Sequence, residues 1–251
     1  MVATRLLLIQ PDELDPPGPL AGWLLETGAE LEVVRPAETP MPDGTAGYQG
    51  IVCLGGAMGA GDDLDHPWLA DVRRLLARAV TARLPVLAIC LGAQLLAAAV
   101  GGRVAIGEAG PEVGPGLVAK RDAAWRDPLF ADLPFMPDVL QFHADAVVTL
   151  PPGTELLAAG TRYPNQAFRV GPSAYGIQFH IETTPELVLE WARTNPDAAA
   201  TARDGDLTRE RLTALHRDLE ETWRPFVTRF VQLAAGKLEP ATPARPGLPL
   251  A

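Results

Sequence analysis

Cysteine is scarce in this 251-residue chain, which holds only Cys53 and Cys90. Two cysteines in or next to predicted buried strands make no disulfide framework, and that suits a reducing compartment. The expectation is a cytoplasmic protein. Histidine is scarce too, with four in all, and the His and Cys positions show no ligand spacing. No metal and no other cofactor is expected. Long apolar runs are missing. The stretch Arg5–Ile9 is far too short for a signal-peptide core or a membrane span, so no membrane partner is expected. Positive charge is in deficit: 21 Lys and Arg against 31 Asp and Glu leave a net charge of -10, which argues against a nucleic-acid partner. The acidic residues are scattered, as on a solvated surface. Phosphate-loop signatures are also absent: there is no GxxxxGK[ST], and the glycines after Leu54 lack GxGxxG spacing.

Apolar material is plentiful. At 47% hydrophobic residues the chain can build a sizeable core, and its length fits one large domain or two small ones. Arg5–Gln10, Leu31–Val34, Gly50–Leu54 and Leu84–Ile89 read as buried strands. Helical patterns over 20–26, 68–82 and 92–100 lie between or after them. Continuously apolar strands alternating with helices indicate a parallel sheet covered on both faces. From Arg103 the pattern changes to short strands with Gly and Pro punctuation, at 117–118, 139–142, 156–158, 166–170 and 175–179. These read as antiparallel additions to the same sheet. Helices follow at 185–194 and about 208–233, with Pro225 expected to kink or break the second. The expected organisation is one α/β domain over 1–238 and a disordered Pro-rich tail over 239–251.

Three short elements carry chemistry. The first is a strand-to-helix elbow, Leu87-Ala-Ile-Cys90-Leu91-Gly92-Ala93-Gln94. The positive end of a helix favours negative charge on a sulfur placed there, and the amide of Leu91 points toward an oxyanion formed by thiolate attack on a carbonyl. The second is His180-Ile181-Glu182 at a strand end, where the imidazole can take a thiol proton and Glu182 can hold its tautomer. The third is the loop Gly55-Gly56-Ala57-Met58-Gly59, whose amides can add an oxyanion donor at the same sheet edge. Taken singly, each has an ordinary reading: a core cysteine, a structural His–Glu pair, a tight turn. Cys53 has the strand context without the elbow and reads as core. His66 reads as a loop residue, His216 as a polar-face residue of the last helix, and Trp223 and Phe226 as core anchors.

Together these elements resemble the class I, triad-type glutamine amidotransferases, above all the amidotransferase domain of GMP synthetases and its stand-alone relatives. The resemblance rests on Gly55–Gly59, Cys90–Gln94, Pro111–Gly114, His143–Asp145, Asn165–Phe168 and Phe179–Glu182, and spans roughly residues 5 to 235. It implies a flavodoxin-like, three-layer α/β fold. It further implies Cys90 as nucleophile on the glutamine side-chain amide, His180 as base and then acid, and Glu182 as its orienting partner. The amides of Gly56 and Leu91 would form the oxyanion hole. Gly55, Gln94 and the segment Phe142, His143, Ala144 and Asp145 would meet the substrate.

Three positions depart from the family pattern: Ala88 replaces a glycine two residues before the nucleophile, and Ala57 and Ile181 each replace a proline. No ATP-pyrophosphatase loop accompanies the elbow. The expected activity is therefore glutamine hydrolysis, with ammonia passed to a synthetase partner. A γ-glutamyl hydrolase or peptidase acting on a small γ-glutamyl amide is the alternative, and a non-catalytic partner retaining the fold is the third reading.

Overall fold

Strand β1 (Arg5–Ile9) is apolar from Leu6 to Ile9 because both of its faces are covered there: Leu6 and Leu8 enter one core cluster, Leu7 and Ile9 the other. The structure, a computed structural model, describes residues 3–242. Around β1 run parallel neighbours: β2 (Glu30–Val34), β3 (Gly50–Cys53), β4 (Val86–Ile89) and, beside β4, β12 (Ala174–Ile177). Beyond β12 the sheet continues antiparallel through β11 (Ala167–Val170), β10 (Thr154–Ala159) and β7 (Ala119–Lys120). Among the described residues the central order is thus β2-β1-β3-β4-β12-β11-β10-β7. Helices α2 (Leu69–Thr81) and α3 (Leu91–Ala99) cover one face. Helices α1 (Gly18–Glu26) and α6 (Arg209–Ala234) cover the other. This is the mostly parallel, helix-covered sheet that the apolar strands imply.

Several details differ from the sequence reading. The strand at 174–177 is not an antiparallel addition on both sides: it is parallel to β4 and antiparallel only to β11. Apolar content cannot tell these two partners apart, since β12 is buried against both. Nor do all the short strands join the central sheet. β5 (Arg103–Ile106) pairs with β9 (Asp145–Thr149), and β6 (Glu112–Leu117) with β8 (Asp138–His143), as separate ribbons. Of the strand expected at 117–118, Leu117 ends β6 and Val118 is the break before β7.

The break expected at Pro225 does not occur; α6 runs unbroken. Proline deprives the Glu221 carbonyl of its helical donor, but Pro225 and Glu221 are exposed, so the carbonyl faces solvent instead of the core. Meanwhile Trp223, Phe226, Val227 and Phe230 hold the opposite face in the core. Of the tail expected to be disordered, 243–251 lie outside the described residues. Its first part is docked: the Ala241 amide donates to Pro172 O at 3.1 Å, and Ala241 is buried.

Two glycines let the layers meet at the site. A Cβ on Gly92 would stand 2.3 Å from the Cys53 carbonyl oxygen, so only glycine lets α3 start against the end of β3. A Cβ on Gly176 would lie 2.4 Å from the Phe168 ring, which packs across β12. Ala88, opposite Gly176, sits in regular strand and is fully buried. The replacement of glycine there brings no strain, because the left-handed residue of this turn is Cys90 itself.

Candidate active site

Cys90 terminates β4 with φ +49° and ψ −110°, a conformation that L side chains rarely adopt. The strain points its side chain away from the sheet, toward the mouth of the molecule, with α3 starting at the next residue. The pairing of β4 with β12 continues one step beyond Ile89 and Ile177: the Cys90 amide donates to Ile177 O at 2.8 Å. The strand that leads to His180 therefore lies against the strand that leads to Cys90. Cys90 is buried except for the edge that faces a cavity, and Gln178 Nε2 donates to its Sγ at 3.7 Å. Cys53, wholly enclosed, is different. Burial pushes its thiol up to about 12.

His180 is stitched to β8 through its backbone: its amide donates to Leu140 O at 2.8 Å. Its Nδ1 lies 2.7 Å from Glu182 Oε1, and Cys90 is near enough for its charge to act on the ring. Burial alone would lower the basicity of this imidazole. The Glu182 carboxylate and negative charge on Cys90 outweigh it, and His180 is held well above its ordinary value. Glu182 is fixed in turn by its own neighbour, since the Ile181 amide donates to Glu182 Oε2 at 2.8 Å. A proline at 181 has no such hydrogen. The same exchange occurs in the glycine loop, where the Ala57 amide donates to Asp12 Oδ2 at 3.1 Å. At both positions where the family pattern has proline, this chain uses an N–H to bind a carboxylate.

A cavity of about 480 Å³ opens over the thiol. Of the residues singled out from sequence, Gly56, Cys90, Gln94, Phe142, His143, Ala144, Asp145 and His180 line it. Gly55, Leu91 and Glu182 stand behind its wall. A Cβ on Gly55 would lie 2.6 Å from Asp15 Oδ2 and 3.2 Å from His180 Cε1, so this glycine makes room for the groups around the thiol. The amides of Gly56 and Leu91 have no protein acceptor among the described residues. Gln94 lines the cavity, but its Nε2 is engaged with Asp145 O at 3.0 Å and braces the 142–145 turn. His143 braces the same turn, with Nδ1 2.9 Å from Asp145 O and Nε2 3.2 Å from Glu112.

Sequence reading missed several residues that line or back the cavity. Trp191, on α4 (Pro185–Thr194), walls the cavity beside His180 with ring centroids 4.9 Å apart, and its Nε1 donates to Leu14 O at 3.1 Å. Its spacing from Val188 marked a buried helix face, which is also what a plain core residue shows. Asp15 lies in the Pro-rich loop after β1, where nothing but turn composition is visible. Burial pushes its carboxyl up to about 7, with Glu182 and Asp12 adding to the rise and His180 opposing it. His216 is not simply on a polar face. It is half-buried, with Nε2 3.0 Å from Thr183 Oγ1, directly behind Glu182.

A family model for class I glutamine amidotransferases matches residues 20–188, more than half of the sequence. The chain belongs to that family. As a class I glutamine amidotransferase, it is 40% identical over 112 residues to the GMP synthase (glutamine-hydrolyzing) of Thermomicrobium roseum; the match is 45% of this chain and 20% of that protein. It is 28% identical over 145 residues to gamma-glutamyl peptidase 4 of Arabidopsis thaliana, covering 57% of each. The chain thus spans only part of these relatives. Among solved structures, a glutamine amidotransferase from Thermotoga maritima superposes with a TM-score of 0.79 at 25% identity, over 93% of this chain and 99% of that one. A glutamine amidotransferase from Methylobacillus flagellatus gives 0.78 at 24% identity, over 98% and 100%, and supports the fold. No described helix is long and apolar enough to cross a membrane.

Proposed function

We propose that this amidotransferase hydrolyses a γ-glutamyl amide, glutamine or a small relative of it, through a thioester at Cys90. The observation that carries the reading is the strained Cys90 facing His180, which Glu182 holds at 2.7 Å, at the floor of an open cavity. His180 takes the thiol proton and Sγ adds to the γ-carbonyl carbon. The amides of Gly56 and Leu91 receive the oxyanion. As the C–N bond breaks, His180 returns the proton to the departing nitrogen. Water then gives a proton to His180 and adds to the thioester, the C–S bond breaks, and glutamate leaves with the thiol restored. A free, reactive thiol belongs in a reducing compartment such as the cytoplasm.

The GMP synthase relatives support a synthetase partner that consumes the ammonia. The peptidase relative supports a larger γ-glutamyl substrate, and the cavity volume favours it, since about 300 Å³ already falls in the range of pockets that enclose whole small ligands. The test is release of glutamate, with ammonia or amine, from glutamine and a panel of γ-glutamyl amides. Turnover by the wild-type protein and its loss by at least about a thousandfold in Cys90→Ala are expected. Undiminished turnover in that variant refutes the thioester route.

A further inference from the structure

The cavity over Cys90 is rich in acidic side chains. Asp12, Asp15, Asp62 and Asp145 line it, and no lysine or arginine does. The described aspartates that form ion pairs are Asp63, Asp71, Asp127, Asp132 and Asp206, all elsewhere. Asp12 and Asp62 are partly engaged by loop amides, Asp12 with Leu14 and Ala57, Asp62 with Gly59. The carboxylates of Asp15 and Asp145 meet no donor among the described residues. No three His, Cys, Asp or Glu side chains there are grouped to hold a metal ion, so these charges do not converge on a point cation.

The reaction gives the cavity a direction. The departing nitrogen must take its proton from His180, so whatever that nitrogen carries extends on the His180 side of the thiol. Asp15 is the acid without a donor on that side: its Oδ2 and His180 Cε1 both crowd the Cβ position of Gly55, at 2.6 and 3.2 Å. A second observation concerns the rim. Leu14 is 63% exposed and Ile106 78% exposed, yet both line the cavity mouth, and Trp191 forms the wall by His180. Apolar side chains left in water beside an unpaired carboxylate fit a ligand with a short hydrocarbon arm ending in positive charge.

We propose that the leaving-group side of this cavity selects γ-glutamyl amides of diamines, whose second amine is cationic, and rejects γ-glutamyl peptides, whose leaving amino acid brings a carboxylate. Hydrolysis then yields glutamate and the free diamine. This inference rests on the hydrolytic reading above. A carboxylate one or two carbons from the leaving nitrogen would meet Asp15 in a cavity lined by no lysine or arginine, whose His180 is already paired with Glu182. A terminal ammonium would there find the partner that the protein itself withholds.

The experiment uses three γ-glutamyl amides of matched length: of 1,3-diaminopropane (cationic), of propylamine (neutral) and of β-alanine (anionic). Calorimetric binding to Cys90→Ala reads charge selection without turnover. The diamine amide is expected to bind at least about tenfold more tightly than the β-alanine amide, with the neutral one between. Adding Asp15→Asn should shrink that gap to within about threefold, and high salt should shrink it in Cys90→Ala alone. Equal or reversed binding of the charged pair overturns the proposal, as does a gap that survives both Asp15→Asn and high salt. Turnover by the wild-type protein is measured in parallel. Selective binding with no hydrolysis of any amide, glutamine included, sinks the hydrolytic reading and leaves charge selection standing. Hydrolysis of all three amides at equal kcat/KM does the reverse.

Discussion

The amide of Cys90 donates to the carbonyl of Ile177 at 2.8 Å. This bond extends the parallel pairing of β4 and β12 past the last strand residues, and it ties the elbow to the strand that leads to His180. The thiol and the imidazole, far apart in sequence, are thereby brought together by the register of two neighbouring strands and, for His180, by its bridge to Leu140. The variants below probe what holds that arrangement.

The left-handed backbone of Cys90 is paid for by the surrounding fold. Cys90→Ala keeps a Cβ at φ +49° and keeps the strain, whereas Cys90→Gly releases it. Both variants are expected to be inactive, with the glycine variant more stable by about 1 kcal/mol. Urea unfolding midpoints check this. An alanine variant at least as stable as the glycine variant contradicts the strain.

Removing the Glu182 charge should lower activity by about a hundredfold or more, as expected when an imidazole loses the group that sets its tautomer. In Glu182→Gln the burial of His180 is no longer opposed by its main partner, so the imidazole should fall toward or below its ordinary value. The sign for stability follows from a folded value above the unfolded one of about 6.5. The stabilisation is fully present below pH 6.5 or so and is lost as pH rises through the higher folded value. The stability gap between wild type and Glu182→Gln should therefore narrow on the alkaline side. Histidine titration by NMR and unfolding at pH 6.5 and above measure the two effects. A gap that widens with alkali refutes the pairing.

Gly92→Ala drives a Cβ to 2.3 Å from the Cys53 carbonyl oxygen and 3.0 Å from that of Leu54, both backbone atoms that cannot swing away. A loss of about 3 kcal/mol is expected. Gly22→Ala is the control. It lies inside α1 with nothing within 4 Å of the added carbon, and should gain about 0.5–1 kcal/mol. Thermal unfolding of both variants checks the contrast.

Asp15 bears on stability in the opposite sense from a salt-bridged acid. Its carboxyl stands at about 7, above the ordinary 3.8, so the folded protein binds its proton more tightly than the unfolded chain does. Stability from this group therefore declines as pH rises from about 4 to about 7 and stays low beyond. The charged groups around it are His180, Glu182 and Asp12. Asp15→Asn should be nearly neutral at pH 4 and more stable than wild type at pH 8.5. With water in the cavity screening part of the charge, the gain at pH 8.5 is about 2 kcal/mol. Urea unfolding at the two pH values decides it, and a variant less stable at pH 8.5 than wild type contradicts the assignment.

The candidate site was legible in sequence where its residues are consecutive. The elbow at Cys90, the His180–Glu182 pair and the glycine loop each form a local pattern at a strand end, and the fold brings the ends together. What sequence did not disclose depends on which strand lies beside which. The apolar run ending in Ile177 reads the same whether its neighbour is β11 or β4, yet only the second places His180 by Cys90. Asp15 and Trp191 escaped for a related reason. One has the composition of a turn and the other the spacing of a core helix, and their approach to the thiol is purely tertiary. His216 looked like solvent-facing helix because its partner, Thr183, comes from another element.

Ala57 and Ile181 stand where the family pattern has proline, and each uses its amide to hold a carboxylate, that of Asp12 or Glu182. A proline stiffens by its ring, permanently and without reference to its surroundings. A hydrogen bond to an acid stiffens only while that acid stays seated. In this chain the glycine loop and the acid behind His180 are thus latched instead of welded. Restoring the consensus prolines would make the sequence look more typical and would remove both latches.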